Sequence, residues 1–512
     1  MGWNFEVSKK RIASHIQGMA EIAVDKLVRD ADLESLLSEG VCREIFGSHV
    51  YVDVDNFANL AAQADGGEYR RVIQAVHLYQ REVARIVERA EMFNGVRVHF
   101  QGSRLHALFY RPIDSAEELA SRAVLLQIAL RQFAQNIFSE CFPALPSLNV
   151  VAGADIGNAI GTQDGMKGDR ELLFLGAPAN YAAKIIGTAA PLCVTADIYD
   201  SLPENLQDVC YTTETSGVCA IEELNDAEVA DLMRDFDIDL DLEASRTRVE
   251  TDKRQFPLKN IEYSDAEELI NLDSLGVTNN KRVLAASIFA DVSGFTAYID
   301  ATSTEHQKKG ALRVLHAIRK EMSAVVKHDF DGLRIQYQGD RVQALFHLPK
   351  DDGAALTKKA IEVAAGLQSS MEFNLKTALP EASSLGLAIG IDVDVTLVSQ
   401  LGTRGQRDRI CIGTAVENAA RSQEVCNGGE IGLTPRAFDA LDLKSRSQFS
   451  LDKTRNVYVA TNLTTDHRER HAKAAAYQSG RVYVKSSGTG ISISGGGLSG
   501  GREVLPSKSF AD

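Results

Sequence analysis

Two aspartates carry the first chemistry that can be read from this chain. Val283–Ala290, VLAASIFA, is a short apolar run that ends at Asp291 and continues into Ser-Gly-Phe-Thr. Such a run predicts a buried strand delivering one carboxylate to the edge of a sheet, with a turn at Phe295 and Thr296 whose backbone N–H groups can face an anion. Further on, Leu333–Phe346 reads LRIQYQGDRVQALF and sets Asp340 in a Gly-Asp turn between two apolar stretches. Asp and Gly are common turn residues, so either turn alone is ordinary. Two carboxylates at two strand ends, close in space, are what a pair of Mg²⁺ ions needs to bridge a nucleoside triphosphate.

In this order, the two stretches resemble the signatures F-x-D-I-x-G-F-T and G-D-x-x-x-A of the class III nucleotidyl cyclases, the adenylate and guanylate cyclase family. The resemblance implies that Asp291 and Asp340 are the metal carboxylates, holding two Mg²⁺ or Mn²⁺ ions. It implies a nucleoside triphosphate as substrate and 3′,5′-cyclisation with release of pyrophosphate.

The elements that must position these groups occur twice. Ser48–Leu60, SHVYVDVDNFANL, repeats the first signature, with Asp53 under Asp291 and Phe57 under Phe295. The frame QG-x-R-x-x-A-L-F recurs at Gln101–Phe109 and Gln338–Phe346, and the interval from Gly153 to Gly176 equals that from Gly390 to Gly413. An ordered series of matches of this length is a tandem repeat. Within each copy the order strand–helix–strand–strand–helix–strand is that of a ferredoxin-like α+β sandwich. The expected organisation is N-terminal helices over 1–47, a first cyclase-like domain over 48–221, a linker over 222–281 and a second cyclase domain over 282–465. Residues 4–46 carry apolar positions at helical spacing and predict one or two amphipathic helices. The acidic linker reads as helical or partly extended. The tail, 466–512, is Gly/Ser-rich and expected to be disordered.

Members of the cyclase family pair head to tail: one partner gives the metal acids, the other the base pocket and an Asn/Arg pair. By resemblance, the two copies form an intramolecular pseudodimer with two candidate sites. The second copy has both acids; the first has Asp53 but Ser103 at the second position. A hydroxyl is a poor Mg²⁺ ligand beside a carboxylate, so the first copy is expected to lack a two-metal site, with Asp55 a nearby acid that could still support weak single-metal binding. The signature G-x-x-V-N-x-A-x-R runs the other way. The first copy reads GAPANYAAK, with Asn180 matching and Lys184 at the Arg position. The second reads GTAVENAAR, with Glu417 for Asn, or Asn418 after a one-residue slip, and Arg421 kept. One complete set results: Asp291 and Asp340 facing Asn180 and Lys184. The family's phosphate-binding Arg before G-I-H is absent, Ala388 standing there. The loop with Arg404, Arg407 and Arg409 is the substitute.

Adenylate cyclases of this family read adenine with a Lys and an Asp; guanylate cyclases use Glu and Cys. In the first copy these positions are His99 and Leu173, and in the second Gln336 and Ile410. Neither purine pattern is present, and the combination resembles the bacterial Pycsar pyrimidine cyclases. Cyclic UMP or cyclic CMP would then be the product, uridylate favoured, as an alarm in antiphage defence read by a separate effector. The alternatives are an adenylate cyclase, a catalytically silent nucleotide-sensing module, or a diguanylate cyclase-like enzyme, against which the lack of a GG-[DE]-E-F-like turn counts.

Composition agrees with a globular protein. The formal net charge of −15, with no basic stripe, argues against a broad nucleic-acid surface. Seven cysteines form no C-x-x-C pair and no zinc spacing, which fits reduced cytosolic thiols. No stretch approaches the ~18 apolar residues of a membrane span, and Gly2 is a weak match for myristoylation. A soluble, cytoplasmic protein is the expectation.

Overall fold

In the computed structural model the described residues are 2–19, 21–28, 32–38, 40–54, 68–113, 115–164, 171–302, 304–403 and 406–465. Asp55, Phe57, Arg404 and the Gly/Ser tail lie outside them.

The two apolar runs that end in aspartates are the central strands of two sheets. In the first copy the strands are β1 (Ala23–Lys26), β2 (Val41–Val54), β3 (Val96–Gln101), β4 (Arg104–Phe109), β5 (Val150–Asp164), β6 (Glu171–Leu175), β7 (Leu192–Thr195), β8 (Cys210–Thr212) and β9 (Val218–Ile221). In the second they are β10 (Tyr263–Ser264), β11 (Asn280–Ser293), β12 (Leu333–Gln338), β13 (Arg341–Phe346), β14 (Gly386–Thr403), β15 (Gln406–Ile412), β16 (Glu430–Leu433), β17 (Ser450–Asp452) and β18 (Val457–Thr461). The first sheet has the order β3-β4-β2-β5-β7-β9-β8 and the second β12-β13-β11-β14-β16-β18-β17. Each begins with the ferredoxin-like arrangement. Residues Ala285–Ala290 of β11 are buried on both faces, which explains why their run is continuously apolar rather than alternating.

Residues 4–46 are only partly helical. Asn4 caps the helix Phe5–Gly18, accepting from the Val7 N–H, and Ile12 and Met19 turn inward. Beyond it, however, Ala23–Lys26 is a strand, paired parallel with Val41–Glu44. The reason is an edge: β4 pairs β2 only from Ser48 to Val52, so the start of β2 would present unpaired main chain. The second copy solves the same problem with β10 on Asn280–Lys281. The segment between the copies is partly helical. It forms the helices Asp226–Asp235, with a capping box from Asn225 and Glu228, and Leu242–Gln255. Asp252 and Arg248 bind Arg81 and Glu82 of the helix Glu68–Glu88, which fastens the segment to the first copy.

Apolar packing joins the copies. Tyr69, Val72, Ile73 and Val76 of the helix Glu68–Glu88 cluster with Leu397, Leu401, Ile410 and Ile412 of the second copy. In the mirrored place, Ile160, Leu173 and Leu175 enter the core of the second copy. The two sheets and the elements between them are one compact unit, Met1–Thr465. The N-terminal helix docks on the second copy. Trp3 Nε1 donates to Ser370 Oγ at 2.6 Å and Ser8 Oγ to Glu321 Oε1 at 2.7 Å. Arg11 forks onto both Glu321 and Asp329 at 2.7 Å. The Glu321 side chain is fully buried, so removing its cation strands a charge away from water. Arg11→Ala is therefore expected to destabilise the fold by about 3–5 kcal/mol in chemical denaturation. A loss below ~1 kcal/mol would mean that solvent replaces the guanidinium.

Candidate active site

The register places the acids. Ala290 lies opposite Val342 in the β11–β13 pair, so Asp291 falls opposite Arg341 and beside the turn that precedes it. That turn is the two-residue loop Gly339–Asp340, closed by Gln338 opposite Arg341. Gly339 has φ +69, while Asp340 does not appear among the positive-φ residues. A two-residue hairpin with positive φ at its first central position needs glycine there, which leaves the next position for a functional side chain.

Burial raises the pKa of Asp291, opposed by Arg341 and reinforced by Glu424. Burial holds Asp340 well above the usual carboxylate range, and the Asp291 charge adds to it. Two acids raised by burial, one of them also by the other's charge, are a site that a divalent cation would relieve. Among the described residues neither has a side-chain hydrogen bond or ion pair with a protein cation. Arg341, directly opposite Asp291, turns instead to Gln338 Oε1 at 2.8 Å, Gln423 Oε1 at 3.2 Å and Glu424 at 3.5 Å.

The first copy differs at each of these points. Asp53 accepts from Ser103 Oγ at 2.8 Å and is bound by Arg104 Nε at 2.8 Å. Its charge is already neutralised by protein. The donor set of Asp291 and Asp340 fits divalent cations; that of Asp53 does not. No group of three or more His, Cys, Asp or Glu side chains able to hold a metal occurs among the described residues. Two carboxylates leave the other coordination positions to water and phosphate oxygens, as Mg²⁺ prefers.

A cleft of about 870 Å³ of empty space, open to solvent, lies between the copies. It brings together His99, Leu173 and Asn180 of the first copy with Gln336, Gly339, Arg407 and Arg409 of the second. Asp291 and Asp340 do not line it. They sit at its Gly339 edge. Asn180 is carried on the helix Ala177–Lys184, which lies flat on β5 because Gly153 has no side chain; a Cβ there would collide with the Ala182 carbonyl. The same helix touches Phe295–Asp300, the helix that follows Asp291. Asn180 and the acid-bearing strand end are thereby neighbours.

The other expected residues sit as follows. Phe295 is buried in the core of the second copy and anchors the turn, while Thr296 is half-buried. Lys184 is exposed, with Nζ 5.6 Å from the centroid of Tyr181, and does not line the cleft. Arg407 is exposed on the cleft wall; Arg409 is tied to Asp273 at 2.9 Å. His99 Nε2 accepts from Gln101 Nε2 at 2.9 Å, and burial, with Arg97 and two further arginines, lowers its pKa to about 4. It is a neutral imidazole at physiological pH. In the pseudo-symmetric site Glu417 is closed onto Arg421, and Asn418 donates to Asp392 at 3.1 Å. Both groups that could act there are spent on each other or on the fold.

Several cleft residues went unnoticed at the level of sequence. Tyr51 stacks on His106 at 4.2 Å between centroids, and His106 Nε2 lies 3.0 Å from His49 Nδ1. Burial lowers both histidines, His49 to about 3. Across the interface, Arg334 binds Glu171 at 3.0 Å and Arg97 binds Asp408 at 3.2 Å. These pairs occupy equivalent positions in the two copies, and their like charges in both were the legible signal.

Two ferredoxin-like units joined head to tail, with paired carboxylates of one beside an Asn-bearing helix of the other, define a nucleotidyl cyclase architecture. Residues 280–472 match the adenylate and guanylate cyclase catalytic domain. The chain is 30% identical over 501 residues to a uridylate cyclase of Pseudomonas aeruginosa, across 92% of this chain and 93% of the relative. It is 27% identical over 437 residues to a uridylate cyclase of a Rhizobium species, across 79% of this chain and 80% of the relative. A crystal structure of a class III adenylyl cyclase-like ATP-binding protein from Pseudomonas aeruginosa is similar with a TM-score of 0.77 at 27% identity, covering 92% of this chain and 99% of that one. The chain belongs to the class III nucleotidyl cyclase family. No helix among the described residues is long and apolar enough to cross a membrane.

Proposed function

We propose that this protein is a uridylate cyclase, converting UTP to 3′,5′-cyclic UMP and pyrophosphate at one site between its two copies. The observation that carries the reading is similarity over 92% and 79% of the chain to two proteins named uridylate cyclase. The wall of the cleft supports it. His99 is uncharged and Leu173 apolar, so neither of the charged groups that read adenine by resemblance is present. By the same resemblance the product signals to a separate effector in antiphage defence.

In the reaction the ribose 3′-oxygen attacks the α-phosphorus, its proton passes to solvent, and the bond to the pyrophosphate oxygen breaks. Asp291 and Asp340 would hold the divalent ions. Bound there, such ions lower the pKa of the 3′-hydroxyl and neutralise the phosphates. Asn180 orients the ribose and donates to charge developing on the phosphoryl group. Arg407, exposed and among the described residues without an ion-pair partner, attracts the triphosphate, whereas Lys184, over Tyr181 and outside the cleft, is not placed to hold it.

The test offers all four ribonucleoside triphosphates at equal concentration with Mn²⁺ and resolves the products. Cyclic UMP should exceed either purine product by about ten- to a hundredfold, because an unpaired polar base edge in a dry pocket costs about 1–3 kcal/mol. Cyclic CMP in excess would transfer the reading to cytidylate. Cyclic AMP in excess would sink the pyrimidine assignment and favour the adenylate reading that the ATP-binding structural relative suggests.

A further inference from the structure

Arg319 lies on the helix Glu305–Ala324 and is 1% exposed. Its Nη1 donates to the Gly339 carbonyl at 2.9 Å and its Nη2 to Glu171 Oε2 at 3.0 Å. The guanidinium also stacks on Tyr337, 3.9 Å from the ring centroid. Gly339 precedes Asp340 in the acid-bearing turn. Glu171 opens β6, which runs through Gly176 into the helix that carries Asn180. One buried side chain at the edge of the cleft therefore touches both halves of the proposed site.

The first copy shows that its turn does not need such a group. There Gln80 Nε2 donates to the Gly102 carbonyl at 2.8 Å, and a neutral amide holds the equivalent hairpin. A buried guanidinium has a desolvation cost that one carbonyl does not repay. What it adds is a planar fork able to fix two acceptors at a set angle, here one on each copy. The guanidinium occurs on the side of the interface that has the free acid pair and not on the side where Arg104 closes Asp53.

We propose that Arg319 is a positioning residue for cyclisation: it holds the Gly339–Asp340 turn in register with the Asn180 helix by gripping Gly339 and Glu171 together. The proposal rests on the cyclase reading of Asp291, Asp340 and Asn180. Its variants are Arg319→Gln, which can keep the carbonyl bond as Gln80 does, Arg319→Lys, Glu171→Gln and the Arg319→Gln/Glu171→Gln double variant. In the purified full chain, Arg319→Gln and Glu171→Gln should each lower kcat by about ten- to a hundredfold with KM changed less than about threefold. The double variant should be no worse than Glu171→Gln alone, because that substitution already removes the Arg319 link, along with the Arg334 pair on the same carboxylate. Arg319→Lys should fall between wild type and Arg319→Gln. Independently of turnover, Mn²⁺ affinity measured by electron paramagnetic resonance should fall by about tenfold in Arg319→Gln, since a loosened turn presents Asp340 less well.

Wild-type kcat in Arg319→Gln, or losses that multiply in the double variant, would overturn the proposal. Should Arg319→Gln fail to fold, Arg319→Lys decides, wild-type kcat and Mn²⁺ affinity in it overturning the proposal, because Glu171→Gln also breaks the Arg334 pair. A wild-type chain that cyclises no nucleotide would sink the functional reading, whereas unchanged Mn²⁺ affinity in Arg319→Gln would sink this one.

Discussion

Replacing Asp340 by alanine is expected to lower cyclic nucleotide formation at least about a thousandfold, and Asp291→Ala should do the same. Loss of several kcal/mol of charge stabilisation at the phosphates gives a factor of that size. Both acids are raised by burial, Asp340 also by the Asp291 charge, and no described protein cation is bonded to them, so their charge is available to a metal. Asp53→Ala should leave turnover close to wild type. Its carboxylate is occupied by Ser103 and Arg104, and its loss should appear as a modest fall in melting temperature. Kinetics on the three purified variants, each checked for folding, decide between one site and two. A comparable loss of activity in folded Asp53→Ala protein would overturn the single-site assignment.

Asn180→Ala should lower kcat by about a hundred- to a thousandfold with little change in KM. That is the pattern for a donor whose bond strengthens only as charge develops in the transition state. Glu417→Ala, at the equivalent place in the other copy, should be nearly neutral. Glu417 is bound to Arg421 one helical turn away, and that pair is exposed at its arginine end. Steady-state rates over a range of nucleotide concentrations separate kcat from KM. An indispensable Glu417 with a dispensable Asn180 would show that the two pseudo-symmetric sites had been exchanged.

The tandem repeat, the ferredoxin-like order of elements and the paired acids were legible in the sequence because each is local. A strand that ends in an aspartate, or a Gly-Asp turn between apolar runs, carries its geometry in a few adjacent residues. The Ser103 substitution was legible for the same reason, as a missing charge at a fixed place in a repeated frame. The strand Ala23–Lys26 was not, because it exists only to cover a main-chain edge left open by β4. Nor could sequence say that Arg104 closes on Asp53 while Arg341, at the same register position, turns away to Gln423 and Glu424. That choice depends on acceptors contributed by a helix far along the chain. The grip of Arg319 on Glu171 and the fork of Arg11 on Glu321 and Asp329 join residues well over a hundred positions apart. Sequence by itself determined which side chains are of a type to do such chemistry and where the two copies differ in them. Only the tertiary structure decided which of those charges are free, because a buried charge is defined by whichever neighbour packing brings within hydrogen-bond reach.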